Sequence, residues 1–316
     1  MHNNNDDVRE VVMIGAGPSS LAAAVYTTRE DIDTTVYEKG VIGGLAAITD
    51  WVDNYPGFVD GIEGMKLAQQ LEGQAERFGA KIEFGEVSGI RMDGDDKIVV
   101  VDGQDVRARA VLIATGSDYN KIGVPGEAEY YGRGVHYCAT CDGAFYRDKR
   151  LVVVGGGNSA IQEAIFLTRY ASHIDLLVRS TIKASDVLQK DLQQYVDSGQ
   201  ITVHLDTTTD EIVATDGKIS AVKATKAGAA MMLETDGVFV FVGLKPNTAF
   251  LQGTDIALDK QGLIKTNNKL ETAMPGVFAS GDVRSGATMQ IASAVGEGAT
   301  AALSIREYLE NRERSE

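Results

Sequence analysis

Two strand–glycine turn–helix–strand units, two hairpins that each run into a short buried strand, and a closing strand and helix without neighbours of their own predict an α/β fold. The expected architecture is two Rossmann-like three-layer domains, the second inserted into the first.

The first unit opens with VREVVMIGAG, an apolar, β-branched run that stops at glycine, as a strand buried in a parallel sheet does. SSLAAAVYTTR follows as a helix, and Pro18 fits its first turn, where a missing N–H leaves no bond unmade. The helix breaks across 30–33, and TTVYEK reads as the second strand. KIVVVDGQDVRARAVLIATGS then reads as a hairpin leading into a buried strand. The second unit is KRLVVVGGGNSAIQEAIFLTRYASHIDLLVR, with a strand over 151–154, a turn over 155–157 and a helix over 161–170. GKISAVKATKAGAAMMLETDGVFVFVG repeats the hairpin-to-strand pattern. The strand GVFASGD and the helix AVGEGATAALSIREYL find partners only by returning to the opening sheet. The expected division is therefore a disordered tail at 1–8, a first domain formed by 9–116 and 245–316, and an inserted domain at 117–244.

The chain of 316 residues has room for two cores. Its 45 acidic residues against 30 basic ones give a formal charge of −15, which disfavours nucleic acids and anionic membranes as partners. No apolar run reaches the roughly 20 residues that span a bilayer, and MHNNNDDVREVV lacks the basic start and apolar middle of a secretory signal. The expected location is the cytoplasm. There a lone vicinal cysteine pair reads as catalytic or metal-binding rather than structural.

Each glycine turn carries a version of the dinucleotide fingerprint. In GAGPSS, Gly15 and Gly17 hold the first two positions and Ser20 the third. The first two allow a tight turn and a close approach of pyrophosphate to the helix amides. Glu38 ends the second strand, where a carboxylate accepts both hydroxyls of an adenosine ribose. In GGGNSA the positions fall to Gly155, Gly157 and Ala160, but the following strand ends LLVRSTIKAS. It has no acid for a free ribose and one arginine, Arg179, with Lys183 nearby. Arg179 reads either as a remnant phosphate clamp or as a solvated loop residue.

Cys138 and Cys141 are the only cysteines, with Asp142 directly behind them. A closed zinc site needs further ligands, and His2, His136, His173 and His204 are scattered, so metal is not expected. A redox pair fits better, because a C-x-x-C ring can lower one thiol's pKa and exchanges readily with other disulfides. Asp142 reads as the acid that protonates a sulfur or as a turn or capping residue. His136 reads as a polar residue at a strand end, within reach of tuning the thiol.

Together these residues resemble the low-molecular-weight thioredoxin reductases, flavoproteins of the pyridine-nucleotide disulfide oxidoreductase superfamily. The resemblance rests on GAGPSS, GGLAAITDWVDNYPGF, LIATGS, CATCDGAF, GGGNSA, FVGLKPNT, and FASGDV followed by Gln290 and AVGEGATAA. It implies FAD on the first domain, held by Gly15, Gly17, Pro18, Ser19, Glu38, Gly44, Asn54, Gly281, Asp282 and Gln290. A second nucleotide or flavin would lie on Gly155, Gly157, Asn158, Ser159 and Arg179. By the same resemblance Cys141 faces the flavin, Cys138 attacks the disulfide of a thioredoxin-like partner, Asp142 is the acid, and the chain is a homodimer whose inserted domain rotates.

Two departures bear on the donor. Where the family carries an arginine-rich HRR-x-x-x-R pattern for the NADP phosphate, this chain has VRSTIKA, and where it has Arg-Gln near the flavin, this chain has Met289-Gln290. The expected function is a FAD-dependent, thioredoxin-reductase-like disulfide oxidoreductase that uses NADPH poorly, with ferredoxin, a second flavin or NADH as the electron source. The alternatives are an NAD(P)H-dependent thioredoxin reductase and a flavin-binding redox sensor without turnover.

Overall fold

The computed structural model describes residues 8–49 and 51–314. The tail expected at 1–8 therefore lies, Val8 apart, outside the described residues. The chain splits into two compact units, Met1–Asp118 with Lys245–Glu316, and Tyr119–Leu244.

The first unit begins β1 (Arg9–Ile14), α1 (Pro18–Thr28), β2 (Thr34–Glu38), the short α2 (Gly44–Ala47), α3 (Gly64–Arg77) and β3 (Lys81–Phe84). It continues through the antiparallel β4 (Val87–Asp93), β5 (Asp96–Val101) and β6 (Gln104–Ile113) to the short β7 (Ser117–Tyr119). β6 serves two layers at once. Its first half closes the hairpin with β5, while its second half enters the parallel sheet beside β1. Alternating side chains follow from that position. Val11, Met13, Ala110 and Leu112 share one core with α1, while Val12, Val111 and Ile113 share another with Val99 and Val283.

The second unit runs β8 (Val135–His136), α4 (Ala139–Asp142), β9 (Arg150–Val154), α5 (Asn158–Leu167), β10 (His173–Leu177), α6 (Asp186–Asp197) and β11 (Ile201–His204). A meander of β12 (Thr207–Thr215), β13 (Lys218–Lys226) and β14 (Ala229–Glu234) precedes β15 (Gly237–Val240). The parallel sheet has the order β11-β10-β9-β15-β8. Its Leu151, Val153, Leu176 and Phe239 pack with α5 and α6, and its Val152, Val154 and Val238 pack with the meander. The second helix starts earlier than its apolar period suggests, at Asn158, because the chain turns into it directly from Gly157.

After β16 (Leu244–Pro246) the chain returns to the first unit. β17 (Val277–Ala279) pairs in parallel with the second half of β6, and α7 (Ile291–Glu313) packs on α1. Gly298 permits that packing, since a Cβ there would lie 2.1 Å from the Ser19 carbonyl oxygen.

Lys97 ties α7 to β5 and β6. Fully buried on β5, its Nζ donates to the carbonyls of Asp95 (3.0 Å) and Arg109 (2.8 Å) and to the Tyr308 hydroxyl (2.6 Å). Burial, aided by Arg312, pushes the ammonium down to about 8. Between that value and the ordinary lysine range the unfolded chain binds the extra proton, so stability from this group rises with pH. Denaturant midpoints compared with those of Lys97→Met should therefore move in favour of the unmodified protein from pH 8 to pH 10. Parallel curves would show that Lys97 is not the group titrating.

Candidate active site

In the first unit β1 delivers the chain into a turn that only glycine accommodates. Gly15 has φ +91°, and a Cβ there would lie 2.7 Å from the Ala114 carbonyl oxygen. Gly17 is the N-cap of α1, no side chain caps it among the described residues, and the space a Cβ would take is open. The free amides of an 11-residue helix thus face that opening. Glu38 is fixed beside them, accepting from the Ala16 N–H (2.7 Å) and the Gly40 N–H (2.7 Å). Gly44 comes against the same turn, where its Cβ position is 3.8 Å from the Gly17 Cα and the Gly43 N–H donates to the Ala16 carbonyl (2.8 Å).

The returning segment joins this cradle. Ser19 and Ser280 hydroxyls are 2.6 Å apart, and the Gly281 N–H donates to Glu297 (2.8 Å), which also holds Arg284. Burial, then the Glu297 charge, raises the Asp282 carboxyl to about 6. Asn54 donates to the Gln290 side chain at 3.1 Å. The residues singled out at 15–19, 38, 44 and 281 thus converge, with Asn54 and Gln290 paired to each other at the start of α7. Open amides, a fixed carboxylate and a buried acid suit a dinucleotide's pyrophosphate and hydroxyls. Ser20, at the third fingerprint position, is fully buried, and its hydroxyl finds no partner among the described residues.

In the second unit the turn glycine repeats the first. A Cβ on Gly155 would lie 2.4 Å from the Phe241 carbonyl oxygen, and Gly157 opens α5 with free space at its own Cβ position. The loop after β10 is tied to this turn, with the Lys183 N–H on the Gly156 carbonyl (2.7 Å) and the Ser185 N–H on the Asn158 side chain (2.9 Å). Arg179 and Lys183 are exposed.

Cys138 and Cys141 form a disulfide with Cα atoms 5.3 Å apart. Cys138 is the N-cap of α4, and its Sγ accepts from the Cys141 N–H at 3.2 Å. Asp142 ends α4 and stands before a 3₁₀ turn, Gly143–Tyr146, but makes no capping bond to it. Its carboxylate instead meets His136 Nδ1 at 3.2 Å, and His136 Nε2 lies 2.7 Å from the Tyr146 hydroxyl. His136 packs on Phe239 at 5.1 Å and edge-on against Tyr146 at 5.3 Å. Burial, then the Asp142 and Asp236 charges, push the Tyr146 phenol well above its usual range. Glu163 of α5 accepts from the Ala139 N–H, and burial raises its carboxyl. Sequence reasoning found the cysteines and Asp142 but missed Tyr146, Glu163 and Gly237, whose roles depend on how the turn packs. Among the described residues no cluster is arranged to hold a metal ion, and no helix is long and apolar enough to cross a membrane.

Two glycine turns opening uncapped helices, one of them in the unit that carries a vicinal disulfide, define an oxidoreductase of the dinucleotide-binding class that works on disulfides. The chain belongs to the pyridine nucleotide-disulphide oxidoreductase family, whose model matches residues 9–298, and has the fold of the low-molecular-weight thioredoxin reductases. It is 40% identical over 311 residues to a thioredoxin reductase of Bacillus subtilis (strain 168), covering 97% of this chain and 96% of that protein. The crystal structure of thioredoxin reductase from Streptococcus pyogenes MGAS5005 matches at a TM-score of 0.91 and 37% identity, over 96% of this chain and 99% of that one. The atypical thioredoxin reductase TRi from Desulfovibrio vulgaris Hildenborough matches at a TM-score of 0.53 and 31% identity, over 96% of this chain and 99% of that one. The family is one of flavin disulfide oxidoreductases, and membership implies FAD and a pyridine nucleotide.

The wall of this site depends on Gly237, because a Cβ there would lie 2.3 Å from Tyr146 Cε1. The ring packs edge-on against both His136 and Phe239, so moving it away from Gly237 disturbs those contacts. Gly237→Ala should lower stability by about 1 to 3 kcal/mol, as overpacking does, read as a drop in the denaturant midpoint. An unchanged midpoint would mean that Tyr146 leaves the wall freely.

Proposed function

We propose that the chain is a FAD-dependent disulfide reductase that passes electrons through Cys138 and Cys141 to a thioredoxin-like protein, drawing them from a donor other than NADPH. The observation that carries the reaction is the vicinal disulfide with Asp142 at its helical turn. The relatives named thioredoxin reductase supply the partner class. On this reading the domains follow the two compact units, and the resemblance extends to a cytoplasmic homodimer.

Gly15, Gly17, Pro18 and Ser19 admit the pyrophosphate to the α1 amides, with Gly44 leaving space beside them. Glu38 takes the ribose hydroxyls, and Gly281, Asp282, Asn54 and Gln290 hold the remainder. When bound and reduced by its donor, FAD would supply the two electrons that open the Cys138–Cys141 bond. Cys141 receives them. One proton taken up with them from solvent leaves Cys141 a thiol and Cys138 a thiolate. The Cys138 thiolate, steadied by the Cys141 N–H, attacks the partner disulfide, forming a mixed disulfide and expelling one partner thiolate, which takes a proton from Asp142. Cys141 then gives its proton to the Asp142 carboxylate and attacks Cys138 Sγ, restoring the internal disulfide and releasing the second partner thiolate, which takes that proton before Asp142 draws another from solvent. The balance is one disulfide, two electrons and two protons giving one dithiol.

The donor reading rests on Arg179. A 2′-phosphate that loses two charge-assisted hydrogen bonds of about 1.5 to 3 kcal/mol each binds roughly two orders of magnitude more weakly, or worse. With Asn158 and Ser159 opening α5, the second turn keeps a nucleotide-type shape that suits NADH or a second flavin. A ferredoxin-like carrier is the remaining source.

Two measurements test this. Cys138→Ser should lose disulfide turnover, to under about 1% of the unmodified rate, while keeping its flavin absorbance, and undiminished turnover would refute the role of the pair. In an anaerobic titration, micromolar NADPH should leave the oxidised flavin band intact in protein that dithionite or reduced ferredoxin bleaches. Rapid bleaching by NADPH would make this an ordinary NADPH-dependent reductase despite its single Arg179. A single cycle of disulfide reduction without turnover would leave a redox sensor.

A further inference from the structure

We propose that His136 is a positioning residue for the disulfide's acid, and that Tyr146 and His136 form a chain of two hydrogen bonds holding the Asp142 carboxyl toward the cysteine pair. The inference rests on the role of Asp142 proposed above and names what makes that role work.

With Asp142 Oδ2 accepting, and the acidic proton on Oδ1 when Asp142 carries one, the chain has one consistent arrangement of protons. The Tyr146 hydroxyl and His136 Nε2 are 2.7 Å apart, and His136 Nδ1 and Asp142 Oδ2 are 3.2 Å apart. A carboxylate only accepts, and a neutral imidazole donates from one nitrogen and accepts at the other. Burial beside Asp142 and Asp236 keeps the phenol protonated, so the Tyr146 O–H donates to Nε2. The His136 proton is then on Nδ1, aimed at Asp142.

The arrangement is also locked in place. The His136 side chain is 6% exposed and that of Asp142 17%, and the imidazole is walled by Phe239 and Tyr146. Gly237 makes the space that Tyr146 fills. Asp142 could have capped the 3₁₀ turn it precedes, yet makes no such bond. With Oδ2 engaged by His136, Oδ1 is the oxygen left to serve a sulfur. Ionisable groups on the surrounding elements include Asp142 and Tyr146 on the turn, Asp236 before β15 with Lys149 paired to it at 3.4 Å, and Glu163 on α5 at the Ala139 amide. A carboxyl held this way acts as acid without first being oriented.

The test compares two small disulfides that differ in their need for a proton. The alkyl thiolate leaving from bis(2-hydroxyethyl) disulfide requires protonation, whereas the aromatic thiolate leaving from 5,5′-dithiobis(2-nitrobenzoate) does not. The full-length protein is pre-reduced with a phosphine and desalted under nitrogen, so the readout is independent of the electron donor. His136→Ala and Asp142→Asn should each slow exchange with the alkyl disulfide about ten-fold or more while changing the aromatic one less than about two-fold. The double variant should be no slower than Asp142→Asn alone, because both substitutions remove the same event. Tyr146→Phe should show a smaller loss of the same kind. His136→Asn, whose amide nitrogen can occupy the place of Nδ1, should recover most of the rate and also serves if His136→Ala does not fold. Equal slowing with both disulfides would make His136 a packing residue only and overturn the proposal, as would multiplicative losses in the double variant. Unchanged alkyl exchange in Asp142→Asn would instead remove the acid role from Asp142, and this positioning role with it.

Discussion

In both units one close approach organises everything around it. The glycine just after β1, and its counterpart just after β9, each sit against a carbonyl just beyond the neighbouring strand, Ala114 for Gly15 and Phe241 for Gly155. Any side chain there would part the strand from its neighbour or deflect the turn. Because the turn is that tight, the helix begins at once, and its first amides open beside the carboxyl ends of the strands. The placements of Glu38 and Gly44 in the first unit, and of the 183–185 loop in the second, are consequences of that approach, since each is hydrogen-bonded to or packed on the turn.

The two turns diverge in what surrounds them. Around the first, carboxyl groups and small residues crowd inward, with Glu38 fixed by backbone amides and Asp282 buried beside Glu297. Around the second, the loop carrying Arg179 and Lys183 is bound by its backbone and presents its charges to solvent. The same local geometry therefore frames a closely built cradle in one unit and a lightly charged one in the other. Beside the second cradle, polar groups gather instead near the disulfide, where the half-buried Tyr146 and Asp142 and the buried His136 form a connected line.

The α/β class and both repeated units were legible because buried parallel strands are nearly all apolar and each stops at glycine. The long reach of the final segment was legible too, since GVFASGD had no local partner and β17 indeed pairs with β6. The start of α5 was not, because the apolar period becomes clear only from Ile161, whereas a glycine N-cap already starts the helix at Asn158. At the candidate site, spacing along the chain exposed Cys138, Cys141 and Asp142. It left open whether Asp142 was an acid or a cap, and the structure turns its side chain to His136 with no capping bond to the 3₁₀ turn. Tyr146 reaches His136 only because the chain after Asp142 winds into a 3₁₀ turn, and Gly237, far along the sequence, vacates the space. Contacts of that kind leave no periodicity to read.

The double duty of β6 also imposes an order of events on synthesis. Its first half can pair with β5, and one edge of its second half with β1, as soon as these have emerged, but the other edge of the second half waits for β17, which follows the whole of the second unit. Until then the apolar flank of β6 that β17 covers, and the face of α1 that α7 covers, have no native cover. The second unit is continuous in the chain and meets no such delay. A ribosome making this protein thus carries an unfinished sheet through the entire synthesis of another domain, the period in which exposed edges invite misassembly and chaperones are engaged.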